Sequence, residues 1–221
     1  MNTNNDYIDS NYYSDIVICF EATNNMKYLV DYFKDFASNL YYNYAEAMDE
    51  KEKPFNKLRI KIILFRDSDE VDEGISMTNF FELPKQLDEF KEYIETISLM
   101  GNSDNANALE ALSLAMHSDW NKQERHRRHI IFMFTRTVPK SLDFNKEIVN
   151  NYPYIAKNLS ELTDQWDGEN AIMERRAKRL LIFSPDEEPW SSFCFHTNVF
   201  HSELSFRYFE NPFDTLIRLF V

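Results

Sequence analysis

Glu21, Thr23 and Asn25 stand on alternate positions directly after the apolar run Ile16-Val17-Ile18-Cys19-Phe20. An acid, a hydroxyl and an amide at this spacing are delivered to a strand–helix turn. Their oxygens can converge on a hard cation such as Mg²⁺, which takes oxygen ligands. Other chemistry is poorly served. There is no GxGxxG or GxxxxGK[ST] loop to cradle a nucleotide phosphate and no GxSxG nucleophile elbow. Cys194, His196 and His201 are zinc-ligand types, but their spacing fits no zinc pattern and ordinary packing is expected of them.

The elements that must position these residues alternate between strand and helix. Apolar runs at Asp15–Phe20, Leu58–Phe65, His129–Phe134 and Arg179–Phe183 read as strands. Three of them are continuously apolar, as parallel strands covered on both faces are. Ile75–Phe81 reads as a short edge strand. After Asn25 a helical stripe runs through Met26, Leu29, Val30, Phe33, Phe36, Ala37, Leu40, Tyr41 and Tyr44. Pro84 opens a second helix, Asp104 or Asn105 can cap a third, and Asn211-Pro212 starts a last one. The pattern predicts an α/β fold, Rossmann-like, with an open and mainly parallel sheet and helices on both faces. Residues 1–14 read as a polar lead-in and 15–221 as a single domain.

The 221-residue chain carries a net charge of −13, which disfavours general binding to nucleic acid. Two cysteines imply no disulfide framework and fit a cytoplasmic setting. No apolar run has the ~20 residues of a membrane helix. The charges segregate. Lys57, Arg59, Arg125, Arg127, Arg128, Arg175, Arg176, Lys178 and Arg179 precede strands, whereas Glu21, Asp67, Asp69, Glu70, Asp72, Glu73, Asp186, Glu187 and Glu188 follow them. A parallel sheet then has a basic edge and an acidic edge. Open α/β sheets bind ligands beyond the carboxyl ends of their strands, here the acidic edge.

Several segments, in order, resemble a bacterial von Willebrand factor A (vWA) domain, of the compact kind associated with stress-response and conflict-system loci. They are DIVICFEATNNM, LRIKIILFRDSDE, FFELP, GNSDNANALEALSLAMHSDW, RRHIIFMFTRT and RAKRLLIFSPDEEPW, spanning Asp15 to about Asp186. The resemblance implies a metal-ion-dependent adhesion site. Its Asp-x-Ser/Thr-x-Ser motif falls on Glu21, Thr23 and Asn25, and its Gly-rich turn supplies Asp104. Where the family has an Asp after the fourth strand, this chain reads Thr135-Arg136-Thr137. The site is therefore expected to be degenerate. Arg136 near the ion position would repel a divalent metal and pair with Glu21 or Asp104. Three arrangements stay open: a bound Mg²⁺, a salt-bridged plug without an ion, or an Arg136 pointing away.

The resulting expectation is a non-enzymatic module that docks a protein partner at the acidic edge. Asp67, Asp69, Glu70, Asp72, Glu73 and Arg136 are its candidate contacts, with no resident cofactor. The alternative is a Mg²⁺-dependent enzyme of phosphoryl chemistry using the same crevice. A third reading is a nucleic-acid contact through the basic edge.

Overall fold

The computed structural model describes residues 12–142 and 152–204. Strands β1 (Tyr12–Glu21), β2 (Phe55–Phe65), β6 (Arg127–Phe134), β8 (Lys178–Phe183) and β9 (Val199–Ser202) run parallel. Strands β3 (Ile75–Met77) and β4 (Phe81–Leu83) pair antiparallel to β2. The order is β3-β2-β1-β6-β8-β9, so β1 is central, flanked by β2 and β6. A separate two-stranded ladder joins β5 (Asn105–Ala106) to β7 (Val138–Pro139).

The alternation of β1 sets the two layers. Ile16, Ile18 and Phe20 face helices α1 (Val30–Glu50) and α2 (Leu87–Thr96), packing with Phe33, Phe36, Leu40, Phe90 and Ile94. Val17 and Cys19 face α3 (Ala108–Met116), with Trp166 of α4 (Leu159–Asp167) and Trp190 of α5 (Trp190–Phe193) on the same side. A strand apolar on both faces must be covered on both, and here it is. Phe20 stacks on Phe33 with ring centroids 3.9 Å apart. Burying each such ring stabilises the fold by roughly 2–3 kcal/mol.

Boundaries differ from the sequence expectation for local reasons. β1 begins at Tyr12, inside the expected lead-in, because Tyr12 N–H donates to Pro54 O and Tyr13 N–H to His126 O. The expected edge strand Ile75–Phe81 is two strands, β3 and β4. A 3-10 turn, Asn24–Met26, precedes α1, with Thr23 accepting from the Asn25 N–H. Pro84 and the two residues after it form a turn, and α2 starts at Leu87. Neither Asp104 nor Asn105 caps α3, because β5 occupies Asn105–Ala106 and Asn107 takes the cap position. The helix expected after Asn211-Pro212 lies outside the described residues. β9, α4 and α5 were not anticipated.

Candidate functional site

Parallel pairing of β1, β2 and β6 sends the turns after all three to one edge of the sheet. Glu21 closes β1 there and is fully buried. Its Oε1 accepts from Thr23 Oγ1 at 2.5 Å. Its Oε2 accepts from Thr135 Oγ1 at 2.7 Å, the Arg136 N–H at 2.8 Å, Thr137 Oγ1 at 3.1 Å and the Thr137 N–H at 3.2 Å. A buried carboxylate without a cationic partner is costly unless its oxygens are filled by donors. Five protein donors fill these.

The remaining candidates lie around this network. The Asn25 Nδ2 donates to Ser103 O at 2.8 Å, and the Asn24 N–H to Gly101 O at 3.0 Å, tying the first turn to the 101–104 turn. Gly101 has a positive φ of 84°, and Glu70 Oε2 accepts from the next two N–H groups, Asn102 at 2.7 Å and Ser103 at 3.0 Å. Asp104 is exposed and shares an open cleft of about 550 Å³ with Asn24, Asn25, Lys27, Tyr28 and Arg136.

Arg136 departs from the expected ion pair. Its backbone N–H, not its guanidinium, meets Glu21. The side chain is exposed, and among the described residues it enters no ion pair with Glu21 or Asp104. Glu21 Oε2 faces the 135–137 segment and accepts its four donors, while Oε1 takes the Thr23 hydroxyl.

The acidic rim is partly committed. Asp67 is buried and pairs with Lys140, which also reaches Asp69 at 2.6 Å. Burial by itself would raise the Asp67 carboxyl. Hydrogen bonds from Lys140, Ser103 and the Asp69 N–H outweigh that and hold it below the ordinary carboxylate range. Asp69 stays largely exposed despite its pair, Glu70 is spent on the 102–103 backbone, and Asp72 and Glu73 are exposed. On the opposite edge several cations are neutralised: Arg59 by Asp15 at 2.6 Å, Lys57 by Glu82 at 2.7 Å, and Arg127 by Glu174.

Thr137, Lys140, Lys27 and Tyr28 belong to this edge and were missed. Thr137 sits two residues after Thr135 with the same hydroxyl, a repeat that could have drawn attention. Lys27 and Tyr28 carried no pattern that sets them apart from a helix surface.

This donor set does not fit a divalent ion as arranged. Both Glu21 oxygens face O–H and N–H hydrogens, and Thr23 Oγ1 points its own hydrogen at Glu21. Nor, among the described residues, does the geometry present an accessible nucleophile with a base beside it. Ser184 Oγ lies 3.0 Å from His201 Nε2, but Ser184 is fully buried. Cys194 bonds to Ser191 O and His196 to Asp167, so the three zinc-type residues have separate partners.

The fold has solved counterparts. A pilus adhesin, SpaC from Lactobacillus rhamnosus GG, superposes with a TM-score of 0.56 at 12% identity, covering 95% of this chain and 31% of that one. A von Willebrand factor type A structure from Catenulispora acidiphila gives 0.54 at 8% identity, covering 94% of this chain and 42% of that one. Proximal thread matrix protein 1 from the mussel byssus gives 0.50 at 12% identity, covering 96% and 47%. This chain thus spans between about a third and a half of each of these proteins. No protein-family profile and no curated protein sequence matches it. The likeness establishes the fold: an α/β, vWA-like architecture with a mainly parallel central sheet.

Proposed function

We propose that this chain is a non-enzymatic protein-interaction module that docks a protein partner at the carboxyl end of its sheet without a divalent ion. The observation that carries this is Glu21: its carboxylate is consumed by five internal donors, so the edge is held by the protein's own hydrogen bonds. Such a sealed network preorganises the loops around an open cleft, which lowers the ordering cost of binding. The vWA-like and adhesin-type folds of its structural counterparts agree with an interaction role. Exposed Asp69, Asp72 and Glu73, in the turn after β2, steer a partner with a basic patch. A bacterial stress-response or conflict system in the cytoplasm is the setting that the sequence resemblance favours.

The test is cross-linking capture from cell extract, with and without a chelator, on the native chain and on Arg136→Glu and Asp72→Lys/Glu73→Lys. Capture that survives chelation and falls in the edge variants is expected. Once a partner is in hand, the double reversal should slow association and flatten its salt dependence. Capture that depends on added Mg²⁺, or is indifferent to every edge variant, refutes the proposal.

A further inference from the structure

We infer that the basic edge of the sheet binds a compact phosphate group carrying two or more negative charges, at Lys53, Arg128 and Arg179 beside the Tyr12 ring. The site lies at the end of the strands opposite the docking edge and does not depend on the docking reading.

The strand register brings these residues together. Ser14 of β1 stands opposite Arg128 of β6, and Ile130 of β6 opposite Arg179 of β8. Ser14 bonds to Tyr44 of α1, and Ile130 belongs to the core on that side. Side chains alternate along a strand, so both arginines stand on the face that α1 covers. The Tyr12 N–H donates to Pro54 O, which sets Lys53, just past α1, beside them. Lys53 Nζ lies 5.6 Å and the Arg128 guanidinium carbon 5.8 Å from the Tyr12 ring centroid. One aromatic ring thus holds two cations close together.

No acid balances this cluster. On the same edge Lys57, Arg59 and Arg127 each have a carboxylate partner. Among the described residues Lys53, Arg128 and Arg179 have none, and Glu52, next to Lys53 in sequence, is exposed and enters no ion pair. The charges that act on them are cationic. Burial lowers the Lys53 ammonium, and Arg128 and Lys51 lower it further. Burial also lowers the Arg179 guanidinium, and Arg128 adds to that. Like charges held together destabilise one another. In a chain of net charge −13 acids are plentiful, yet none is placed here, and a bound anion would offset the repulsion.

The surplus selects the anion. A single carboxylate would leave most of the positive charge unmatched. A terminal phosphate carries about two negative charges at neutral pH and several strong acceptor oxygens. The arginines have donors to offer it. Among the described residues Arg128 uses only Nη1, on Arg127 O at 3.4 Å. Arg179 likewise uses only Nη1, on Lys178 O at 2.6 Å and Arg176 O at 3.2 Å. The Nε and Nη2 groups of each remain for a phosphate, which a guanidinium fork matches with two parallel hydrogen bonds. A nucleotide and a free polyphosphate both present this group.

The experiment is a nuclear magnetic resonance titration of the isotope-labelled native chain, following the Tyr12, Arg128 and Arg179 amides. The probes are tripolyphosphate, adenosine triphosphate, a short oligothymidylate without terminal phosphates and the peptide acetyl-Glu-Glu-Glu-amide. Saturable shifts with tripolyphosphate, weaker at high salt, are expected. Arg128→Gln and Arg179→Gln should each weaken that binding about tenfold and Lys53→Gln about threefold. Lys157→Gln, exposed just before α4, should leave it unchanged. Without ligand, the two arginine variants should melt at or above the native temperature, because each relieves repulsion between like charges. Tighter binding of adenosine triphosphate than of tripolyphosphate assigns a nucleotide as the source, and equal binding assigns a free polyphosphate. No saturable response to either, equal affinity for the Glu peptide, or tighter binding of the oligothymidylate overturns the assignment. A lower melting temperature in both arginine variants overturns the unbalanced charge on which it stands.

Discussion

Replacing Glu21 separates a carboxylate that holds the edge together from one that merely sits there. In Glu21→Ala the Arg136 N–H loses its acceptor at 2.8 Å, while the Thr137 N–H keeps a second one, Thr135 Oγ1 at 3.3 Å. One buried orphan donor costs about 1–3 kcal/mol. The cavity left by the missing side chain adds roughly 1–2 kcal/mol. The hydroxyls of Thr135 and Thr137 can turn to each other, 3.5 Å apart, and soften the loss. The two terms sum to about 2–5 kcal/mol before that softening, a fall in melting temperature of roughly 4–20 °C for a chain of this size. Glu21→Gln keeps a carbonyl oxygen for the four donors and turns its amide toward Thr23. It should cost only about 1 kcal/mol, because weaker neutral bonds are offset by easier desolvation. The assay is urea unfolding at neutral pH with amide exchange read at Arg136 and Thr137. Equal stability of the Ala and Gln variants, or undiminished protection at Arg136 in the Ala variant, would refute the reasoning.

Glu110, buried on α3 with Oε2 unpartnered, has its carboxyl pushed up to about 7 by burial, against weaker lowering by its own backbone N–H, Asn107 and Lys140. The folded protein keeps a proton there that the unfolded chain releases near its ordinary value of 4.5, so this stabilisation is full below 4.5 and is lost as pH rises through 7. The swing is about 3 kcal/mol, and Glu110→Gln should flatten it in unfolding curves taken between those pH values. Lys140→Ala should cost about 1–2 kcal/mol at pH 7 in urea unfolding, since it strands Asp67 at a site open on one side. That loss should fade in acid, because a depressed carboxyl contributes above its unfolded pKa and stops contributing as pH falls through its folded one. Mg²⁺ should leave the melting temperature of the native chain unchanged, while Glu21→Asp with Arg136→Asp should gain a dose-dependent rise. A rise in the native chain would mean that the Glu21 network opens to an ion.

Much of the architecture was legible because burial dictates residue type. IVICF, IIFMF and LLIF are apolar on both faces, and each is a strand covered on both sides. The placement of Thr23 and Asn25 at one edge followed from parallel pairing, whereas that of the 101–104 turn beside them followed only from the family resemblance. β9 was hidden because Val-Phe-His-Ser is short and only half-buried. β5 and β7 were hidden because two-residue pairings leave no periodic trace. The partners of Arg136 were illegible for a different reason. Sequence gives the charge of a side chain but not which of its groups, guanidinium or backbone N–H, faces a neighbouring acid.

That distinction changes what the edge can do. An Arg136 paired to Glu21 through its side chain would cancel both charges and leave an inert plug. Satisfying Glu21 with the N–H groups and hydroxyls of 135–137 instead frees the guanidinium for solvent while anchoring the chain beneath it. The extra methylene of Glu over Asp supports the same arrangement, since it carries the carboxylate further from the β1 backbone toward the turn after β6. The acid thus acts as an internal anchor and the arginine as the exposed positive group. In the proposed docking, the edge would then meet a partner through fixed charges rather than through an exchangeable ion. Its affinity for a partner should respond to salt through screening of those charges, and not to chelators.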